Sequence, residues 1–170
     1  MAPVLSLRSA LVAFLLGALP LSVAAQGAQV GFGGLRLDHS LPVEITSDEL
    51  RVNQADGQAV FTGGVLVGQG EMRLSADRLV VDYAPGEEER EVERLKATGN
   101  VTLVNGTEAA EAETAVYTLS SGVVVMTGNV LLTQGEGAIS GQRLVIDLAS
   151  GTGTMEGRVR TLLQPKGGGQ

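Results

Sequence analysis

The side chains able to do chemistry are few in this chain, and their spacing does not suit catalysis. There is one histidine, His39, and no cysteine, so thiolate nucleophiles, zinc–thiolate centres and disulfides are excluded. No second ligand stands at metal-site spacing from His39. The only dense acidic run is Glu87-Glu88-Glu89 with Glu91 and Glu93 beyond it, which reads as a solvated loop. Acid–base or glycoside-cleaving chemistry needs carboxylates converging on one cleft, and the positions that repeat along this chain are aliphatic. Nucleophile-elbow, P-loop and dinucleotide-binding glycine patterns are all missing from the sequence. Arg36, Arg51, Arg73 and Arg143 read as solvated, with phosphate at a rim as their one chemical use.

What remains is apolar bulk. Of 170 residues 44% are apolar but only 3% aromatic, with no Trp, so anything buried is lined by Val, Leu, Ile, Ala and a few Met. That length suits one domain with a real core. A formal charge of −7 argues against nucleic acid or an anionic membrane surface as partner, because both require clustered cations.

Arg8, the apolar run Ala10 to Leu19, Pro20, and then Ser22-Val23-Ala24-Ala25 before Gln26 form the pattern of a secretory signal peptide. The run is shorter than the roughly 20 residues that a bilayer span needs. The expected organisation is therefore a signal peptide at 1–25 cleaved after Ala25, a flexible segment at 26–40, a domain at 41–165 and a flexible tail at 166–170. Losing Arg8 makes the mature chain one charge more negative, and its destination lies beyond the inner membrane.

Helical periodicity is nearly absent from the rest. Short β-branched runs alternate with turn signals such as Asp56-Gly57, Asn105-Gly106, Ser121-Gly122 and Ser150-Gly151, which predicts an all-β fold of hairpins. The chain also repeats itself. Phe61-Thr62-Gly63-Gly64-Val65 returns as Ala97-Thr98-Gly99-Asn100-Val101, as Met126-Thr127-Gly128-Asn129-Val130 and as Met155-Glu156-Gly157-Arg158-Val159. A companion motif, Asp48-Glu49-Leu50-Arg51-Val52, recurs in step from Asp77, Glu113 and Gln142. The recurrent glycine predicts a bulge or bend in each strand.

Side chains two apart on a strand share a face. One face then carries Phe61, Val65 and Val67, then Val101 and Leu103, then Met126, Val130 and Leu132. Companion strands place Leu50 and Val52, Leu79 and Val81, Tyr117, and Leu144 and Ile146 at equivalent positions. The opposite face holds Arg51, Thr62, Asp82, Asn100, Thr102, Thr127, Asn129 and Asp147, so one side is dry and the other wet.

Pro42-Val43-Glu44-Ile45-Thr46-Ser47-Asp48, the Phe61 to Gly70 segment and Ser75-Ala76-Asp77 resemble the OstA-like family, and the likeness runs from about Leu41 to Pro165. The resemblance implies an open, slightly twisted β-jellyroll of stacked antiparallel hairpins in the periplasm. It implies a lipopolysaccharide carrier without cofactor or catalytic step, which holds lipid A acyl chains between its layers. Its implied partners are inner-membrane and outer-membrane transport components sharing the fold, with copies joined head to tail. Carried onto this chain, the family's lipid-contacting positions fall on Val43 and Ile45 after Pro42, and on Leu119. The rival expectations are a β scaffold that binds proteins and no lipid, and a polysaccharide-active enzyme.

Overall fold

The computed structural model describes residues 28–31, 37–38, 40–53, 57–84 and 91–163. The signal-peptide segment, His39, Glu87-Glu88-Glu89 and the 166–170 tail lie outside the described residues. Strands are β1 (Ala28–Gly31), β2 (Glu44–Thr46), β3 (Glu49–Asn53), β4 (Gln58–Gln69), β5 (Met72–Tyr83), β6 (Val92–Asn105), β7 (Glu108–Thr118), β8 (Val123–Gln134), β9 (Gly137–Asp147), β10 (Thr152–Glu156) and β11 (Arg160–Leu162). They form one 11-stranded sheet in which every pairing is antiparallel. The expected all-β hairpin stack is what forms.

The recurrent glycines fold this sheet in two. Pairing of β4 with β5 jumps between Thr62 and Val65, that of β6 with β7 between Thr98 and Val101, and that of β8 with β9 between Thr127 and Val130. At each jump two residues with positive φ, Gly63-Gly64, Gly99-Asn100 or Gly128-Asn129, oppose a single residue on the partner. Such bulges bend a strand sharply. Gly157-Arg158 repeats the conformation between β10 and β11. The bends line up, so each long hairpin contributes one half to a front layer and the other half to a back layer. In the front layer the order is β3-β4-β5-β6-β7-β8-β9-β10-β1, and in the back layer β2-β4-β5-β6-β7-β8-β9-β11.

The two sequence motifs meet at this bend. An added Cβ on Gly63 would lie 2.5 Å from Asp48, on Gly99 2.4 Å from Asp77, on Gly128 2.6 Å from Glu113 and on Gly157 2.7 Å from Gln142. The acid or amide of one repeat thus occupies the space that glycine leaves in the next. Asn100 Nδ2 donates to Asp77 Oδ2 at 2.8 Å, and Asn129 Nδ2 donates to Glu113 Oε1 at 2.6 Å. Asn tolerates left-handed backbone because its short amide bonds locally, and here that amide clasps the neighbouring repeat.

Two described pieces of the N-terminal region are tied to the sheet. Ala28–Gly31 pairs with β10 in register from Ala28↔Met155 to Gly31↔Thr152. Leu37 is buried, and its N–H donates to Leu148 O at 3.1 Å. An unpaired β10 edge would leave a row of backbone donors and acceptors open, and this segment satisfies it.

Candidate functional site

The facing surfaces of the two layers are aliphatic along the whole stack. Val65, Val67, Leu79, Val81, Val101, Leu103, Tyr117, Met126, Val130, Leu132, Leu144 and Ile146 are all buried in one continuous cluster. Phe61, Val43 and Ile45 are half-buried against it. Leu50 and Val52 pair with Phe61 and Ala59, so they stand on the same face, yet they are 53% and 59% exposed. The reason is position: β3 ends the front layer, and among the described residues no strand continues the stack beyond it. Leu119 also packs against the cluster, half-buried at its rim beside Glu93 and Ser120 in a cleft of about 450 Å³ on the open side. Full burial of a Leu, Val or Met side chain stabilises by roughly 1.5–3 kcal/mol, so these residues form the core of the molecule.

Sequence alternation missed part of this surface. Met72, Leu74 and Ala76 on β5, Ala110 on β7, Val124 on β8 and Leu148 beyond β9 are equally buried. Across each bulge, inner positions on the glycine strand stand four apart, as Phe61 and Val65 do. On the partner strand they stand three apart, as Ala76 and Leu79 do. The partner strand therefore changes phase at Asp77-Arg78, where two outward residues follow one another.

Opposite the bends the layers meet through a polar contact. Tyr117 on the front layer donates its hydroxyl to Gln69 Oε1 on the back layer at 2.9 Å, and both residues are buried. Gln69 Nε2 donates to Leu41 O at 2.8 Å, which ties the strap of Leu37 and Leu41 over the same side. Farther along, within the back layer, Gln134 Nε2 donates to Oε1 of its cross-strand partner Glu108, which is 4% exposed. Gln69 reads as an ordinary turn residue before Gly70, so nothing in the sequence flagged it.

Burial pushes the Tyr117 hydroxyl above the ordinary tyrosine value of 10.0, the Gln69 hydrogen bond offsetting part of the rise. A raised folded pKa means that the folded state keeps a proton which the unfolded chain gives up near pH 10. The contribution is complete below that pH and is lost as pH climbs through the folded value. Denaturation from pH 8 to 11 should show stability falling at the alkaline end, and Tyr117→Phe should flatten that fall. At neutral pH the same variant is expected to lose about 1–3 kcal/mol, because Gln69 Oε1 stays buried without the hydroxyl.

No group of three or more metal-ligating side chains occurs among the described residues. The arrangement is thus a continuous aliphatic core between two layers, joined at the bends and clasped on the other side. Residues 44–152 match a family described as the LptA/(LptD N-terminal domain) LPS transport protein. The chain belongs to that family.

The match runs from the start of β2 to the start of β10, and so covers most of the inner face. Among relatives of the LptA/LptD family, an uncharacterized protein of Rhizobium meliloti is 29% identical over 107 residues, covering 60% of this chain and 58% of its own. The lipopolysaccharide export system protein LptA of Escherichia coli K12 is 36% identical over 55 residues, 32% of this chain and 30% of its own. The aligned region is therefore well under two thirds of either relative. LptH of Pseudomonas aeruginosa, described as the LptA homologous periplasmic component of the lipopolysaccharide transport device, superposes with a TM-score of 0.66. That likeness covers 75% of this chain and 99% of LptH at 18% identity, and it establishes the shared β-jellyroll.

Proposed function

We propose that this protein carries lipopolysaccharide across the periplasm by holding its acyl chains between the two layers. The observation that carries this reading is the unbroken aliphatic row from Leu50 and Val52 at the exposed head to Ile146 at the tail. A chain of a dozen methylenes costs on the order of 10 kcal/mol to expose to water, so a carrier must offer such a row. Lipid enters from the open side, where the Tyr117–Gln69 clasp and the Leu37–Leu41 strap part while the bends act as the hinge. The contacting residues are the inner positions named above, with Val43 and Ile45 at the head and Leu119 at the rim. The protein is net acidic, so burial of hydrocarbon supplies the affinity and phosphate contacts are secondary.

Copies of the chain, or other fold-sharing components at either membrane, join head to tail into a bridge. The exposed head carries Glu44 and Asp48 beside the Arg51–Glu49 ion pair, and the exposed tail carries Arg158 and Arg160. Opposite charges therefore face one another in such a junction, and β-strand addition supplies the backbone pairing. A heterologous contact of this kind need not close on itself.

The deciding experiment purifies the mature chain from a lipopolysaccharide-producing host and identifies extracted lipid by mass spectrometry. Ile45→Asp should cut the lipid recovered by about tenfold or more without unfolding the domain, since a carboxylate at the head of the row opposes acyl entry. Photo-crosslinking from Val67 should capture lipid, and from outward-facing Leu66 should not. Absence of lipid from every preparation would make the molecule a protein-binding scaffold.

A further inference from the structure

The two ends of this stack are not equally open. Among the described residues both edge strands at the head are free, β2 in the back layer and β3 in the front layer. At the tail no described strand covers β11, but β10 already has a partner in β1. Because every neighbour in the sheet is antiparallel, strand directions alternate across it. In the front layer β1 lies an even number of steps from β3, so the two run the same way. A following copy that continued the stack would lay its β3 on β10 in the direction and place that β1 now occupies, and its β2 on β11.

We propose that β1 is a built-in stand-in for the head of the next copy, an internal cap that competes with it for the edge of β10. This rests on the head-to-tail reading above and adds its regulation. The occupant that β1 keeps out is the β3 strand of a second copy of this chain. Head and tail carry opposite charge, with Glu44 and Asp48 beside the Arg51–Glu49 ion pair on one and Arg158 and Arg160 on the other. Beside the cap, Leu162 at the free β11 edge is 61% exposed, so the tail is half covered and half ready. An incoming copy pairs first with β11 and then displaces β1 from β10, as one strand exchanges for another of the same polarity.

The consequence is a threshold. While β1 is docked for about 90–99% of the time, the association-competent fraction is small and the apparent dissociation constant rises by about 10- to 100-fold. A local strand, present at high effective concentration, is displaced only when copies are abundant or held in line at a membrane.

The test uses the mature chain, which has no cysteine. Gln29 and Thr154 lie directly opposite one another, so Gln29→Cys with Thr154→Cys can be bridged across the strand pair. Oxidised, this variant should stay monomeric in light scattering at concentrations where its reduced form associates. Deletion of residues 26–34 should associate at about 10- to 100-fold lower concentration than the parent chain. In the monomer the same deletion should speed amide exchange across residues 152–156. Where the parent chain associates, identical association of the oxidised and reduced forms would overturn the cap, and unchanged exchange in the deletion would overturn it in any case. If no variant associates at any concentration yet the exchange rises, the cap stands as an edge guard and the head-to-tail reading falls instead.

Discussion

Gly128→Ala should cost about 3 kcal/mol or more of unfolding free energy, although it adds a single methyl group. Its φ is +87°, where an L-residue carries about 1–2 kcal/mol of backbone strain. The new Cβ would also lie 2.7 Å from Glu113 Cβ and 2.6 Å from Glu113 Oε2. The carboxylate can swing away because Glu113 is exposed, but the Cβ moves only with β7 itself. Glu113→Ala added to Gly128→Ala should therefore restore only part of the loss. The next position gives the contrast. Gly64 has φ +51° and open space where a side chain would go, and Gly64→Asn would set an amide beside Asp48 as Asn100 sets one beside Asp77. That variant should be neutral or slightly stabilising, within about 0.5 kcal/mol, a range typical of surface changes. Chemical denaturation of the set checks both, and a Gly128→Ala midpoint close to the parent's would remove the bend from its structural role.

The fate of each sequence expectation traces to how the bend treats the strand concerned. Glycine strands keep their alternation through the bulge, because the extra residue leaves Phe61 and Val65, or Met126 and Val130, an even number apart. Period-two reading therefore found their inner faces on both sides of the bend. Partner strands shift phase at Asp77-Arg78, Glu113-Thr114 and Gln142-Arg143. Leu79 and Leu144 were legible there, while Met72, Leu74 and Ala110 were hidden in the other phase. Repeat spacing disclosed both motifs, since they recur in step, but not that the acid of one packs under the glycine of the next. Only pairing across strands brings residues 22 apart, Asp77 and Gly99, into contact. The β1–β10 pairing was beyond reach for a related reason: Ala28-Gln29-Val30-Gly31 is too short and mild to read as a strand, and it becomes one through the edge that it covers.

Met126→Ala separates a groove from an ordinary core. Met126 is fully buried at the middle of the front layer, and its truncation should cost the lipid-free protein about 2–5 kcal/mol through lost transfer energy and the void left behind. In a permanently closed core that loss is final. In a space built for acyl chains the void is dry, aliphatic and the right kind of place for hydrocarbon. Added rough-type lipopolysaccharide should then stabilise Met126→Ala more than the parent chain, by about 1–2 kcal/mol, as one or two further methylenes are buried. Leu131→Ala, on a side chain 38% exposed and pointing away from the layers, should change neither the lipid-free stability nor the gain on adding lipid. Thermal melts of the three proteins with and without lipopolysaccharide read the difference directly. Equal gains for Met126→Ala and the parent would mean that fatty chains never reach the centre of the stack, and acyl binding would then be confined to the head, where Val43, Ile45, Leu50 and Val52 remain accessible.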